Sequence, residues 1–319
     1  MRQPITDKYS SDQVMMTLSA IAYTSFDSIA VLQKNLDEAE ALRGAYEAIW
    51  WARDNVNSLY IVKDRLNEDY AIAIRGPLFR FGLSFLLDLY ETLDIDQQAY
   101  LPYSQLQPGN AKIAAGLLEA IQSISDFSYN GRNITQIVNN IPKGSKVYIT
   151  GHSLGGMLAT AFAVKMACSN PKELDIIPYT FGTPAAGNKS FGDLFNRHSS
   201  QCLFSHSSRC VNSRDIIPYA WHDLQGIPAI DYGNIKFPID FTLCLDCIAR
   251  LLILSRVAYV QPSLKLQLPG KIEPGAGFFQ EAMLQHHHNT YLELLGLNPI
   301  RSASYSYKPQ KERAFTESL

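Results

Sequence analysis

The chain has few of the features that mark whole classes of protein. Five cysteines in 319 residues are too few, and odd in number, for a disulfide framework, and they mildly favour a reducing compartment. A formal net charge of −2 gives no sign of a nucleic-acid partner. A transmembrane helix needs about 18 uncharged apolar residues, and none is present. The nearest run, residues 239–260, is interrupted by aspartates and arginines.

The N-terminal stretch MRQPITDKYSSDQV also lacks the apolar core of a signal peptide. We therefore expect a cytoplasmic protein or one exported by another route, unless its leader is missing from this sequence. The composition, 46% hydrophobic and 18% charged, is ordinary for a globular protein. The length is sufficient for one large α/β core, with or without a cap.

The most informative stretch is residues 146–167. Val147, Tyr148 and Ile149 predict a strand buried on both faces, and the alanine-rich segment after residue 156 predicts a helix. Between them GHSLG fits G-x-S-x-G, in which a sharp turn strains the serine backbone and flanking glycines remove clashing Cβ atoms. We predict that Ser153 is a nucleophile presented near a helix N-terminus. The alternative is an ordinary Gly/Ser loop.

Three motifs occur in one order along the chain: TGHSLGG, YTFGTPAAGN at 179–188 and VNSRDIIP at 211–218. Together they resemble the class 3 lipase family, over about residues 45 to 295. The resemblance implies an α/β-hydrolase fold, with a mostly parallel central sheet flanked by helices and with lid or cap segments. It also implies hydrolysis of fatty-acid esters, and we expect no cofactor and no metal ion.

A serine hydroxyl becomes a good nucleophile only when a base removes its proton and a third group orients that base. In this fold the chain order is serine, acid, histidine. Asp215 follows a predicted strand at 210–212, where a loop residue reaches the carboxyl edge of the sheet, and it lies in the VNSRDIIP motif. We predict Asp215 as the acid, with Asp223 as the fallback.

The candidate bases that follow the acid are three adjacent histidines. We favour His288 over His287 and His286, because the catalytic histidine of the family is followed three positions later by an aromatic residue, as His288 is by Tyr291. His152 lies inside the elbow and is expected to point away from the serine hydroxyl. The other histidines precede or closely follow the acid.

The resemblance also identifies the oxyanion hole. Its donors are the Leu154 N–H and the residue after Arg75-Gly76, where the family carries Thr or Ser. Here that residue is Pro77, which has neither an N–H nor a hydroxyl. Loss of one oxyanion donor costs about 10²–10³ in turnover. Either Leu78 donates instead, which we favour, or the enzyme is slow, or the pocket serves another purpose.

Residues 78–93 are dense in leucine and phenylalanine and lie where the family carries its lid. We predict that Phe79, Phe81 and Phe85 form a lid or acyl-chain wall that meets a lipid interface. The alternative is a fully buried helix. His152 is a further candidate for substrate binding.

Two cysteine and histidine patterns have an ordinary explanation. Adjacent side chains of the His-His-His run point in different directions, so the run is a poor chelate. Cys244-x-x-Cys247 is half of a zinc or redox pattern, and we interpret it as two buried thiols. The sequence leaves one disulfide, between Cys202 and Cys210, as an alternative.

Hydrophobic periodicity predicts the main elements. The predicted helices are 13–55 for the most part, 110–127 with Asn110 as N-cap, 134–141, 191–198 and 241–259, and the predicted strands are 59–63 and 70–74 as a hairpin, 175–181, 210–212 and 264–268. The 241–259 helix is interpreted as an acyl-pocket cap, a core helix or a membrane-surface helix.

We thus predict one α/β-hydrolase domain at 13–300, between a flexible N-terminus (1–12) and a flexible tail (301–319). A lid region at 78–110 and a cap insertion at 224–285 lie within it. The predicted function is serine carboxylic-ester hydrolysis of lipase type through an acyl-enzyme, on a lipid or ester substrate at a membrane or emulsion interface. Alternatives are a phospholipase, a short-chain esterase, or a non-catalytic lipid-binding relative, which only Pro77 supports.

Overall fold

The structure is a computed structural model. It describes residues 8–54, 56–76, 85–102, 110–169, 173–200 (side chains to 196), 207–263, 266–272 and 275–301.

The strands are numbered in chain order. They are β1 (Tyr46–Arg53), β2 (Ser58–Asp64), β3 (Tyr70–Arg75), β4 (Gln98–Tyr100), β5 (Lys112–Ala114), β6 (Ser128–Tyr129), β7 (Arg132–Asn133), β8 (Lys146–His152), β9 (Asp175–Phe181), β10 (Ser208–Asn212) and β11 (Leu266–Leu268).

Seven of these strands form a central mixed sheet in the order β1-β2-β3-β8-β9-β10-β11. The β1–β2 and β2–β3 pairs are antiparallel, whereas β3, β8, β9, β10 and β11 run parallel to one another. The carboxyl ends of the parallel strands therefore meet at one edge, which is where side chains on the following loops can converge. The predicted fold class, a mostly parallel sheet flanked by helices, is confirmed.

Ten α-helices lie in the described part of the chain. They are α1 (Ser11–Ile21), α2 (Ile29–Glu38), α3 (Phe85–Thr92), α4 (Ala115–Asp126), α5 (Ile134–Asn139), α6 (Leu154–Cys168), α7 (Lys189–Ser200), α8 (Ile239–Leu254), α9 (Phe278–His286) and α10 (His288–Leu294). None of the described helices is long and apolar enough to cross a membrane.

The two faces of the sheet pack into separate cores. On β3, Ile72 and Ile74 join a cluster with α3 to α6 and α8, whereas Ala71 and Ala73 join a second cluster with α1, α2 and α10. This alternation is the consequence of the two-residue period of a strand. A strand buried on both faces needs apolar residues at nearly every position, which accounts for the continuous YAIAI run.

Most predicted elements are confirmed, including the β2–β3 hairpin, but two boundaries were wrong. Residues 46–53 form β1 and not the end of a helix, because Tyr, Ile and two Trp favour a pleated edge strand when β2 is available as a partner. The 110–127 helix begins only at Ala115, because residues 112–114 pair with β4. Asn110 is therefore not its N-cap.

The segment predicted as a cap insertion, 224–285, contributes in part to the main domain. β11 pairs with β10 in the central sheet, and α9 ends at His286. Cys210 is a free, buried thiol on β10, and Cys202 lies outside the described residues. The prediction of two buried thiols was wrong, since Cys247 is exposed on α8 and Cys244 is only partly buried.

Candidate active site

Ser153 occupies the sharp turn between β8 and α6. Its backbone has φ +57° and ψ −130°, a conformation that is costly for a residue with a Cβ. The turn is this tight because Gly151 and Gly155 lie against each other. A Cβ on Gly151 would collide with the Gly155 carbonyl, and one on Gly155 would collide with the carbonyl of Ile74. The Ser153 N–H donates to the Phe181 carbonyl at 2.9 Å and so ties the turn to β9.

A continuous chain of hydrogen bonds joins Ser153, His286 and Asp215. The distance between Ser153 Oγ and His286 Nε2 is 2.7 Å, and that between His286 Nδ1 and Asp215 Oδ2 is 2.8 Å. Because an ionised carboxylate can only accept, Nδ1 carries the proton in the neutral ring. Nε2 is then free to accept from the serine hydroxyl. This is the arrangement of nucleophile, base and orienting acid that acyl transfer requires.

Asp215 is fully buried and held by three donors. Its Oδ2 accepts from the Tyr291 hydroxyl at 2.7 Å as well as from His286, and its Oδ1 accepts from the Ile217 N–H at 2.9 Å. The Tyr291 hydroxyl also accepts from the Asn212 N–H at 3.1 Å, which connects it to the end of β10. These bonds hold the carboxylate in one orientation toward the imidazole.

A buried amide network places His286 at the end of α9. Asn212 Nδ2 donates to both the carbonyl and the Oε1 of Gln285, each at 2.8 Å. Gln285 Nε2 in turn donates to Glu281 Oε1 at 2.7 Å. The last turn of α9 is therefore fastened to the strand that precedes Asp215. The base and the acid are positioned by the same β10 terminus.

The structure places His286, and not the predicted His288, within hydrogen-bond distance of Ser153 Oγ. His288 lies on the first turn of α10, fully buried, with its ring stacked on Tyr23 at 4.6 Å between centroids. Among the described residues its Nε2 has no hydrogen-bond partner. His287 accepts from the Asn289 N–H through Nδ1 and so caps α10. The aromatic three positions after His288 does not mark the base, because the Tyr291 hydroxyl binds the acid.

His286 could have been recognised from a helical stripe. The buried positions of α9 are 278, 281, 282, 285 and 286, the spacing of one helix face. His286 is the last member of that stripe and therefore points inward. His287 adopts an extended conformation and reverses the chain, so its neighbour His288 faces a different surface.

His152 lies behind Ser153 and faces protein groups with both ring nitrogens, and its role in substrate binding stays a prediction. It is buried, its Nε2 donates to the His286 carbonyl at 2.7 Å, and its Nδ1 lies 3.1 Å from the Tyr23 hydroxyl. Burial chiefly, and then the neighbouring His286 and His287, lower the pKa of His152 well below its usual range. A neutral ring with its proton on Nε2 fits these partners.

The oxyanion position is defined on one side by Leu154. This residue is the first of α6, where N–H groups have no partner within the helix and the helix dipole favours negative charge. Gly76, at the end of β3, lies so close that a Cβ there would stand 2.8 Å from the Leu154 Cβ. Pro77 and Leu78, which come next in sequence, lie outside the described residues.

The family model for lipase (class 3) matches residues 81–223. This part of the chain resembles the class 3 lipase family. It is 26% identical over 213 residues to the Caenorhabditis elegans protein Lipase ZK262.3, covering 65% of this chain and 54% of that protein. It is also 26% identical over 210 residues to Phospholipase A1-II 1 of Oryza sativa subsp. indica, covering 59% and 50%. The chain thus spans about half the length of these curated relatives.

The fold of this chain is also found in solved structures. The crystal structure of M37 lipase superposes with a TM-score of 0.77, at 23% identity, over 90% of this chain and 93% of that one. At this level of identity the likeness concerns the fold alone.

The region predicted as a lid is described only in part. Phe79 and Phe81 lie outside the described residues. Phe85 opens α3 and is buried in the core cluster together with Leu86 and Leu89. Where it is described, the Leu/Phe-rich stretch therefore follows the alternative prediction, a buried helix.

No group of three or more His, Cys, Asp or Glu with the geometry of a metal site occurs in the described part of the chain.

Proposed function

We propose that this protein is a serine carboxylic-ester hydrolase of lipase type, with Ser153 as nucleophile, His286 as base and Asp215 as orienting acid. The observation that carries the proposal is the unbroken chain of hydrogen bonds from the Ser153 hydroxyl through the His286 ring to a buried carboxylate. The strained backbone of Ser153 at a helix N-terminus supports it independently.

The reaction would proceed through an acyl-enzyme. Ser153 Oγ attacks the ester carbonyl while its proton passes to His286 Nε2, and the imidazolium is stabilised by Asp215. The tetrahedral intermediate collapses when His286 returns that proton to the leaving alcohol. Water then attacks the acyl-serine ester by the same route, and the carboxylic acid leaves as Ser153 Oγ recovers its proton.

The oxyanion would be held by the Leu154 N–H and by a second donor. The second donor we propose is the Leu78 N–H, since Pro77 has none. The close approach of Gly76 to Leu154 supports a donor just after β3, because the chain leaves that strand directly beside the elbow.

The proposed substrates are acyl esters of glycerolipids. The match to Lipase ZK262.3 supports a lipase, and the match to a phospholipase A1 favours phospholipid as a second candidate. The triad chemistry is the same for both, so the two candidates differ only in the head group that the site accepts.

Initial hydrolysis rates on p-nitrophenyl esters from acetate to palmitate test the proposal, with Ser153→Ala in parallel. We expect hydrolysis that increases toward long chains and disappears in the variant. Covalent labelling of Ser153 by a fluorophosphonate provides a control that does not depend on the substrate. If neither Ser153-dependent hydrolysis nor labelling occurs, even with an emulsion present, the non-catalytic lipid-binding alternative replaces this proposal.

A further inference from the structure

The helix α8 exposes large apolar side chains near both of its ends. Ile239, Leu243, Ile253 and Leu254 are 78%, 60%, 75% and 78% exposed, and Leu251 is 38% exposed. We call these five side chains the α8 ridge. They are half of the exposed large hydrophobic residues in the described chain, gathered on one 16-residue helix. Scattered exposed leucines need no explanation, whereas exposed apolar side chains gathered on one element indicate a binding site.

The ridge lies on the outer face of α8, and the inner face of that helix is already packed against the protein. Phe241, Leu245, Ile248 and Leu252 are buried and form the inner stripe. A surface helix that packs on one side normally presents a polar opposite face. On α8 the outward positions carry instead the ridge and a few charged residues, among them Asp246 and Arg250. Within the described part of the chain, nothing covers the ridge.

The inner face of α8 connects it to the catalytic elements. Phe241 packs on Phe278 with 5.0 Å between ring centroids, and Phe278 is the first residue of α9, the helix that ends at His286. The ridge therefore belongs to the same part of the molecule as His286.

We propose that the α8 ridge is a docking surface for a lipid–water interface with uncharged or zwitterionic head groups. This rests on the proposed function, since it supplies the aggregated lipid that the active site would act on. An amphipathic helix that lies in an interface buries apolar side chains among head groups and keeps its charges in water. The charged residues on and beside α8 nearly cancel. Three are basic and two are acidic, namely Lys236, Arg250, Arg256, Asp240 and Asp246, so the surface does not select anionic lipid.

The shape of the ridge favours a lipid surface over a second copy of the chain. One 16-residue helix is about 24 Å long and about 10 Å wide, a footprint of roughly 240 Å². A stable protein interface buries about 800 Å² on each partner. A narrow convex ridge cannot supply that area alone, whereas it can insert into a fluid interface without a complementary surface.

Vesicle flotation of a hydrolytically inactive Ser153→Ala protein tests the proposal, with phosphatidylcholine vesicles as the probe. In that background, Leu243→Ser with Leu254→Ser should reduce the partition coefficient about tenfold or more, because two exposed leucines lose their transfer free energy. Leu66→Ser is the matched control. Leu66 is 55% exposed at the β2–β3 turn, at the opposite end of the sheet from Ser153, and should leave partition unchanged.

Four results would overturn the proposal. Equal binding by the ridge variant and its parent, or equal loss in Leu66→Ser, overturns the proposal, as does no vesicle binding by the Ser153→Ala parent. A concentration-dependent dimer in sedimentation velocity that the ridge variant abolishes, with partition unchanged, assigns the ridge to a second copy and also overturns it.

Hydrolysis of p-nitrophenyl butyrate below its solubility limit tests the proposed function separately from the docking surface. With Ser153 present, the ridge variant should hydrolyse this ester at the parent rate while its rate on an emulsion falls. Absent butyrate hydrolysis together with ridge-dependent vesicle binding rejects the proposed function and supports the docking surface.

Discussion

At the scale of single residues, His286 and His288 are two positions apart and have opposite surroundings. His286 has a hydroxyl on one ring nitrogen and a carboxylate on the other. His288 is enclosed by aromatic and imidazole rings, at 4.6 Å from Tyr23 and 4.1 Å from His287. The first environment suits proton transfer and the second suits packing.

Replacement of these two histidines should separate the two roles. His286→Ala is expected to lower kcat on p-nitrophenyl butyrate by about 10⁴-fold or more, as loss of a triad base does. His288→Phe should keep most of the activity, because a phenyl ring preserves the stack on Tyr23 and His288 does not contact Ser153. Steady-state kinetics of both variants, with circular dichroism as a folding control, would measure this. A collapse of kcat in His288→Phe with an active His286→Ala would reverse the assignment.

At the scale of elements, the site depends on how closely β3, β8 and α6 pack against one another. Gly155 faces the Ile74 carbonyl and Gly156 faces Thr183, so α6 packs on the strands with no intervening side chain. The N-terminus of α6 thereby comes to the carboxyl edge of the sheet. That contact holds the Leu154 N–H at the nucleophile.

Gly155→Ala should therefore destabilise the fold and displace the elbow. Overpacking typically costs about 1–3 kcal/mol and occasionally more, and here the new methyl would meet backbone that cannot rotate away. The control is Gly192→Ala in α7, where a Cβ would stand 3.5 Å from Val260, an ordinary contact. That change should stabilise the protein by about 0.5–1 kcal/mol through helix propensity. Denaturant unfolding of both variants measures the difference, and equal stabilities would contradict the packing argument.

At the scale of the whole molecule, several imidazoles are buried close together beneath the active site. Burial is the largest cause that lowers the pKa of His288 well below its usual range, and His287, His152 and His286 add to it. His152 is shifted in the same direction, with burial again the main cause. Asp215, Tyr23 and Tyr291 face the same cluster from other elements.

These shifts predict that the fold loses stability in acid. A histidine whose folded pKa is depressed binds its proton mainly in the unfolded state, so stability is complete above about pH 6.5 and decreases below it. Each such histidine contributes up to about 1.4 kcal/mol per pH unit in that range. Urea unfolding from pH 7.5 to 5 should show this slope, and it should be shallower in His288→Phe. An identical slope in the variant would exclude His288 as a source.

The sequence by itself determined the strand–turn–helix around Ser153, the parallel strands and the resemblance to class 3 lipases. These depend on local pattern: continuous apolar runs, glycines at a strained turn and motifs of fixed spacing. It also identified Ser153 and Asp215 as candidate site residues, and in the structure both hydrogen-bond to the His286 ring.

Only the tertiary structure decided which histidine that imidazole belongs to, that residues 46–53 pair as a strand, and which face of α8 stays exposed. Each of these depends on a partner far away in sequence: the β10 amide network that fastens α9, the β2 edge that receives β1, and the aromatic cluster that covers one side of α8. Adjacent residues in one run have nearly the same local chemistry. Contacts across the fold distinguish them.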